Sequence, residues 1–149
     1  MIRRKLISGL VLLVISLCVF GGTIWAYGDQ STYFLFNGAT GGHGEVDGSA
    51  NGKYYSLTPG NVRLDLVNTL TTVPSGFYGT KECWIILKRE IDWSIDQSYG
   101  TNTIYYSQNG YSTTSRWSVD TNSSKYYIYV SGGDPGFSYL SSGIMYDHY

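Results

Sequence analysis

The chain has 149 residues, 15 of them tyrosine and 19 glycine, with two histidines and two cysteines. Three of its ten basic residues and none of its eleven acidic ones precede residue 29, so residues 29–149 carry a formal net charge of −4 and seven scattered cations. That balance makes nucleic acid or an anionic membrane surface a poor partner. Cys83 as the lone cysteine after residue 28 leaves no internal disulfide there.

The N-terminus reads as a leader. Arg3, Arg4 and Lys5 precede the apolar run from Leu6 to Phe20, followed by Gly21, Gly22 and the small-residue step Ala26-Tyr27-Gly28. This is the layout of a signal peptide over residues 1–28, cut after Gly28 or after Ala26. The 22 uncharged residues from Leu6 to Tyr27 would also span a bilayer as an uncleaved anchor. In both cases the positive end stays inside, so residues 29–149 are expected outside the cytoplasm, secreted or membrane-anchored. Membrane contact is expected only through an uncleaved leader. Cys18 follows Leu17 rather than a small residue and belongs to the apolar run, not to a lipid-attachment site.

Residues 29–149 then offer strand after strand, rich in tyrosine and β-branched residues with Gly and Asn between them. "TYFLFN" (32–37) comes first, followed by a glycine-rich loop over 38–52. "KYYSL" (53–57) leads through Pro59-Gly60 to "NVRLDLVN" (61–68), where Val62, Leu64 and Leu66 alternate with Arg63 and Asp65. After the loop "TVPSGFYG", "ECWIILKRE" (82–90) reads as a central strand buried on both faces. "IDWSID" (91–96) has strict period two, which predicts a strand with Ile91, Trp93 and Ile95 inward and Asp92 and Asp96 outward. "TIYYSQNGYSTT" (103–114) predicts a hairpin on a type I′ Asn109-Gly110 turn. "SRWSVD" (115–120), "KYYIYV" (125–130), a short "FSYL" (137–140) and "GIMYDHY" (143–149) complete eight or nine strands. Their spacing predicts one all-β domain over 29–149, an antiparallel β-sandwich of jelly-roll type, with a closed β-barrel as the alternative.

Candidate sites are few. Glu45, Asp47 and Asn51 place oxygen ligands along the glycine-rich loop and compose a candidate calcium site, although the spacing is not that of a complete EF-hand loop. His43 and His148 lie too far apart for the usual zinc motifs, and no G-x-S-x-G elbow is present. Glu90, Asp92 and Asp96 could be drawn as a glycosidase pair, but the alternation puts the two aspartates on the solvent face. Cys83 sits in an apolar run, where a thiolate is costly.

The aromatics carry the functional expectation. Tyr105, Tyr106, Asn109, Tyr111 and Trp117 cluster around the Asn-Gly turn among Ser, Thr and Gln. Rings beside hydroxyls and amides suit a neutral polar ligand: a flat apolar face stacks and the polar groups orient the ligand's hydroxyls. The same tyrosines also build sheets through cross-strand pairs. The leading expectation is a secreted, non-catalytic binding module for a cell-wall or extracellular polysaccharide or a surface protein. The alternatives are a self-assembling structural or membrane-active, toxin-like β-protein, whose tyrosine-rich edges pair with other chains, and an exported hydrolase.

Overall fold

A computed structural model describes residues 28–38 and 43–148, with residues 43–45 described in their backbone only. The expected leader, but for Gly28, lies outside the described residues. Among those residues the chain forms nine strands: β1 (Gln30–Asn37), β2 (His43–Glu45), β3 (Tyr55–Leu57), β4 (Gly60–Thr72), β5 (Thr80–Arg89), β6 (Gln97–Ser107), β7 (Tyr111–Val119), β8 (Ser123–Ser131) and β9 (Ser138–Asp147).

The strands make two layers of an antiparallel β-sandwich. One layer runs β1-β9-β4-β7. The other runs β6-β5-β8, with β2 and β3 sharing the far edge of β8. A single parallel bridge, Thr69 to Ser107, joins β4 to β6, so the layers form one sheet folded on itself and nearly closed as a barrel. On the opposite side Thr32 of β1 donates a hydrogen bond to the Tyr55 hydroxyl of β3 at 3.0 Å. The Gln30 amide both donates to and accepts from the Ser56 backbone, at 2.8 and 2.9 Å.

The core follows from period two. Val62, Leu64, Leu66 and Leu70 of β4 face Cys83, Ile85 and Leu87 of β5, Ile104 and Tyr106 of β6, and Ile128 and Val130 of β8 in one buried cluster. Full burial of such side chains contributes about 1.5–3 kcal/mol each. With Cys83 as the free and buried thiol, this cluster holds the fold without a disulfide.

Five expectations are corrected. The loop over 38–52 contains the short strand β2, paired to β8. β5 is central but not buried on both faces, since Trp84 is exposed. Residues 137–140 and 143–149 are not separate strands; they fall mostly within the single strand β9. "IDWSID" is not a strand but the turn between β5 and β6, with Trp93 at φ 63° and both Trp93 and Ile95 pointing into solvent. Asn109-Gly110 does not close a hairpin. Gly110 has φ 83° and donates to the Ser107 carbonyl at 3.3 Å, while Asn109 does not take the positive φ of a type I′ turn. β7 there leaves β6 and pairs with β4 along its whole length, so this turn is a corner between the layers.

Apart from the β1–β2 and β2–β3 connections, the links between strands gather at two ends. At the near end lie Gly28–Gln30, the β3–β4 link, the β5–β6 turn, the β7–β8 link and the end of β9. At the far end lie the β4–β5, β6–β7 and β8–β9 loops.

Candidate binding surface

The structure separates the five residues expected to bind ligand. Tyr105 and Tyr111 meet at the far-end corner with ring centroids 5.5 Å apart, and Asn109 is exposed between them. Tyr106 and Trp117 are core residues, which corrects their assignment as contacts. The Tyr106 hydroxyl is fully buried and 2.7 Å from Ser141 Oγ, which donates to Asn68 Oδ1 at 2.7 Å; Asn68 in turn donates to Thr113 Oγ1 at 2.7 Å. Burial raises the Tyr106 phenol above its usual range. The Trp117 indole N–H donates to the Gly100 carbonyl at 2.9 Å, closing the gap that opens between β6 and β7. Neighbouring tyrosines in "IYY" must point oppositely in a strand, and the core claimed Tyr106.

The loop residues expected to hold calcium have structural partners. Asp47 is fully buried; it accepts from the Tyr55 hydroxyl at 2.5 Å and from Asn51 Nδ2 at 2.9 Å. Asn51 also donates to the Val46 carbonyl and accepts from the Lys53 amide. The carboxylate and amide therefore hold each other and the β2–β3 loop. Glu45 is placed in β2 opposite Tyr129, on the backbone alone.

The carboxylates weighed for hydrolysis organise the β5–β6 turn. Glu90 and Asp92 both pair with Lys125, and Asp96 accepts from the Tyr127 hydroxyl at 2.5 Å and the Ile91 amide at 3.3 Å. Burial, with Asp134 adding to it, pushes the Cys83 thiol up to about 12, so it stays neutral and a poor nucleophile.

A surface that the motifs did not single out lies on the outer face of the β1-β9-β4-β7 layer. Register aligns Tyr33, Ser142, Val67 and Ser112 across its four strands, and Ser31, Ile144, Asp65 and Thr114 in the next row. Asp65, Val67, Ser112, Thr114, Ile144 and Tyr146 line a groove of about 360 Å³ there, floored by Leu66 and Gly143. Thr114 Oγ1 donates to Asp65 Oδ1 at 2.7 Å, and Arg63 Nε lies 3.2 Å from Asp65 Oδ2. The Arg63 guanidinium also sits 4.3 Å from the Tyr146 ring centroid, fixing that ring beside the carboxylate. The groove thus offers an aromatic face, two aliphatic contacts, the hydroxyls of Ser112, Thr114 and Ser142, and an oriented carboxylate. Its volume lies within the usual range for small-ligand sites, roughly 300–1,000 Å³. The alternation in β4 does mark Arg63 and Asp65 as outward; bringing Tyr146 and Thr114 beside them needed the β9-β4-β7 pairing, which no local pattern carries.

A second aromatic face lies across the sandwich. Trp84 is 44 % exposed and lies over Gly132, where a Cβ would come within 2.8 Å of the indole. Tyr129, in the next row, is covered by the Lys88 ammonium at 4.2 Å, so its ring is capped by charge.

Neither a protein-family model nor a characterised protein sequence matches the chain. Among solved structures, one described as "CBM4 structure and function" is similar at 11 % identity and a TM-score of 0.45, over 74 % of this chain and 86 % of that one. Likeness at that level says nothing about ligands.

Proposed function

We propose that residues 29–149 form a non-catalytic module that holds a neutral polysaccharide of the cell wall or extracellular matrix in the groove on the β1-β9-β4-β7 face. The observation that carries this reading is the row of hydroxyls and aliphatic side chains beside the Tyr146 ring and Asp65, along a shallow, open groove. A sugar ring needs that combination: an apolar face to cover its C–H groups and oriented acceptors for its hydroxyls. The carboxylates and the thiol that could have served catalysis hold a turn and fill the core instead. In this reading the leader delivers the module outside the cytoplasm, which N-terminal sequencing and fractionation of the producing cells would check.

The test is co-sedimentation of the chain, as recovered after export, with insoluble cell walls and polysaccharides. Tyr146→Ala and Asp65→Ala each remove an exposed or half-exposed contact, and each should weaken binding about tenfold or more with the fold intact. Tyr111→Ala should change it little, since the corner lies outside the groove. Loss of binding in Tyr111→Ala alone would move the site to the corner. A folded protein that binds none of these polymers would end the polysaccharide reading.

A further inference from the structure

The β5–β6 turn is the least expected feature of the molecule. Trp93 and Ile95, two of its largest apolar side chains, stand almost wholly in solvent on a connection only seven residues long. Trp93 holds φ 63°, a conformation that bulky L-residues avoid. The turn is nonetheless tightly built. The Ser94 amide donates to the Ile91 carbonyl at 3.1 Å, Asp96 accepts from both the Ile91 amide and the Tyr127 hydroxyl, and the Glu90 amide donates to the Lys125 carbonyl at 3.0 Å. Lys125 in turn clasps Asp92 and Glu90. This hydrogen-bonded turn presents two apolar side chains outward.

We propose that this Trp93–Ile95 tip inserts into the headgroup layer of a lipid bilayer. Three observations favour a membrane over a protein pocket or a second copy. The tip is a convex point of two side chains, too small for a stable protein interface of about 800 Å² per partner but sufficient for interfacial insertion. Tryptophan's amphipathic ring suits the membrane–water boundary, and the charged groups behind it would remain in the aqueous layer. The third is position. The tip lies at the near end, where Gly28–Gln30 leads into β1: Gln30 brackets Ser56, β3 pairs with the start of β8, and Lys125 of β8 holds the tip. The 22 uncharged residues from Leu6 to Tyr27 join the domain at that same end. A chain held by that segment would have its tip facing the same bilayer, and a released chain could return to one. The leading sequence expectation confined membrane contact to an uncleaved leader, and the toxin-like alternative placed self-association on tyrosine-rich strand edges; the tip is a different contact.

The tip's surroundings set the lipid class. Glu90, Asp92, Asp96 and Asp120 outnumber Arg89 and Lys125 there, so neutral or zwitterionic headgroups are favoured over anionic ones. The tip is separate from the groove, which lies on the outer face of the β1-β9-β4-β7 layer.

The experiment uses the chain as recovered after export, with whatever leader it retains, and phosphatidylcholine vesicles with and without phosphatidylglycerol. Vesicle binding should move the tryptophan emission to the blue and make it quenchable by brominated lipid. Trp93→Ala should abolish that component and lower partitioning about tenfold or more if the leader has been cleaved. Ile95→Ser should lower it several-fold, and phosphatidylglycerol should weaken binding. Emission and quenching that are the same in wild type and Trp93→Ala would overturn the proposal. So would Trp93-dependent self-association in sedimentation without lipid, with no response to vesicles.

Discussion

Residues 61–68 and 91–96 carry the same pattern, an apolar side chain at every second position, and the fold treats them oppositely. In β4 every second residue from Val62 to Leu70 is buried, Val62, Leu64, Leu66 and Leu70 among the core apolars. In the β5–β6 turn the same alternation leaves Trp93 and Ile95 in water. The difference lies in backbone partners. β4 runs between β9 and β7, which supply hydrogen-bonding neighbours on both edges. Among the described residues no strand flanks 91–96, and Asp96 captures the Ile91 amide locally, a side-chain bond that competes with any ladder. Alternation tells which way side chains point once a strand exists; it does not supply the neighbours that make one.

The sharpest way to break this contrast is to truncate one apolar residue from each segment. Leu64→Ala opens a cavity in the fully buried cluster and should cost about 2–5 kcal/mol in urea unfolding. Ile95→Ala removes nothing from the core and should stay within about 0.5 kcal/mol of wild type. Comparable losses in the two variants would mean that the tip packs against something in solution.

Alkaline titration reads the same contrast through the core. Cys83 faces inward from β5, and burial lifts its thiol from 9.0 to about 12. Tyr55, raised by burial and by neighbouring Asp47, and Tyr106, raised by burial, are shifted in the same direction. In each case the unfolded chain loses its proton first, so folding stability is full below about pH 9 and falls as pH rises toward about 12. Cys83→Ala should give a shallower decline in the unfolding midpoint between those values, with the tyrosines accounting for what remains. An unchanged slope would place the thiol in contact with solvent.

Next in size is Asp96→Ala. It strips the acceptor from the Tyr127 hydroxyl and the Ile91 amide and should cost about 1–3 kcal/mol. Hydrogen exchange should speed up at Ile91, while the Leu64 amide keeps its protection. Protection lost equally at both would make the turn part of one cooperative unit with β4.

Much of the architecture could be read before any coordinates. The inward set of β4, the inward phase of Cys83, Ile85 and Leu87, and Trp117 with Val119 on one face all follow from period two. What could not be read was partner choice. Whether β7 pairs back on β6 or crosses to β4 is decided by contacts some fifty residues away, as Leu66 opposite Thr113 illustrates. That crossing turned an expected hairpin into a corner and put Trp117 under the gap. The groove suffered the same limit, because Asp65, Thr114 and Tyr146 come from three strands distant in sequence.

The smallest expected effect tests why the tip is built as it is. Trp93 sits in left-handed backbone without packing to compensate, and asparagine tolerates that conformation far better than an aromatic residue. Trp93→Asn should therefore leave stability unchanged or raise it by up to about 1 kcal/mol, seen as a small rise in Tm, since it relieves strain and forfeits no buried surface. The same substitution should eliminate the vesicle-dependent emission change. A variant that is at least as stable and no longer partitions marks a residue retained at a cost to the fold for what it touches outside it. A clear fall in Tm would instead give the indole a packing role in solution, and the exposed tip would have to be read as the end of the core.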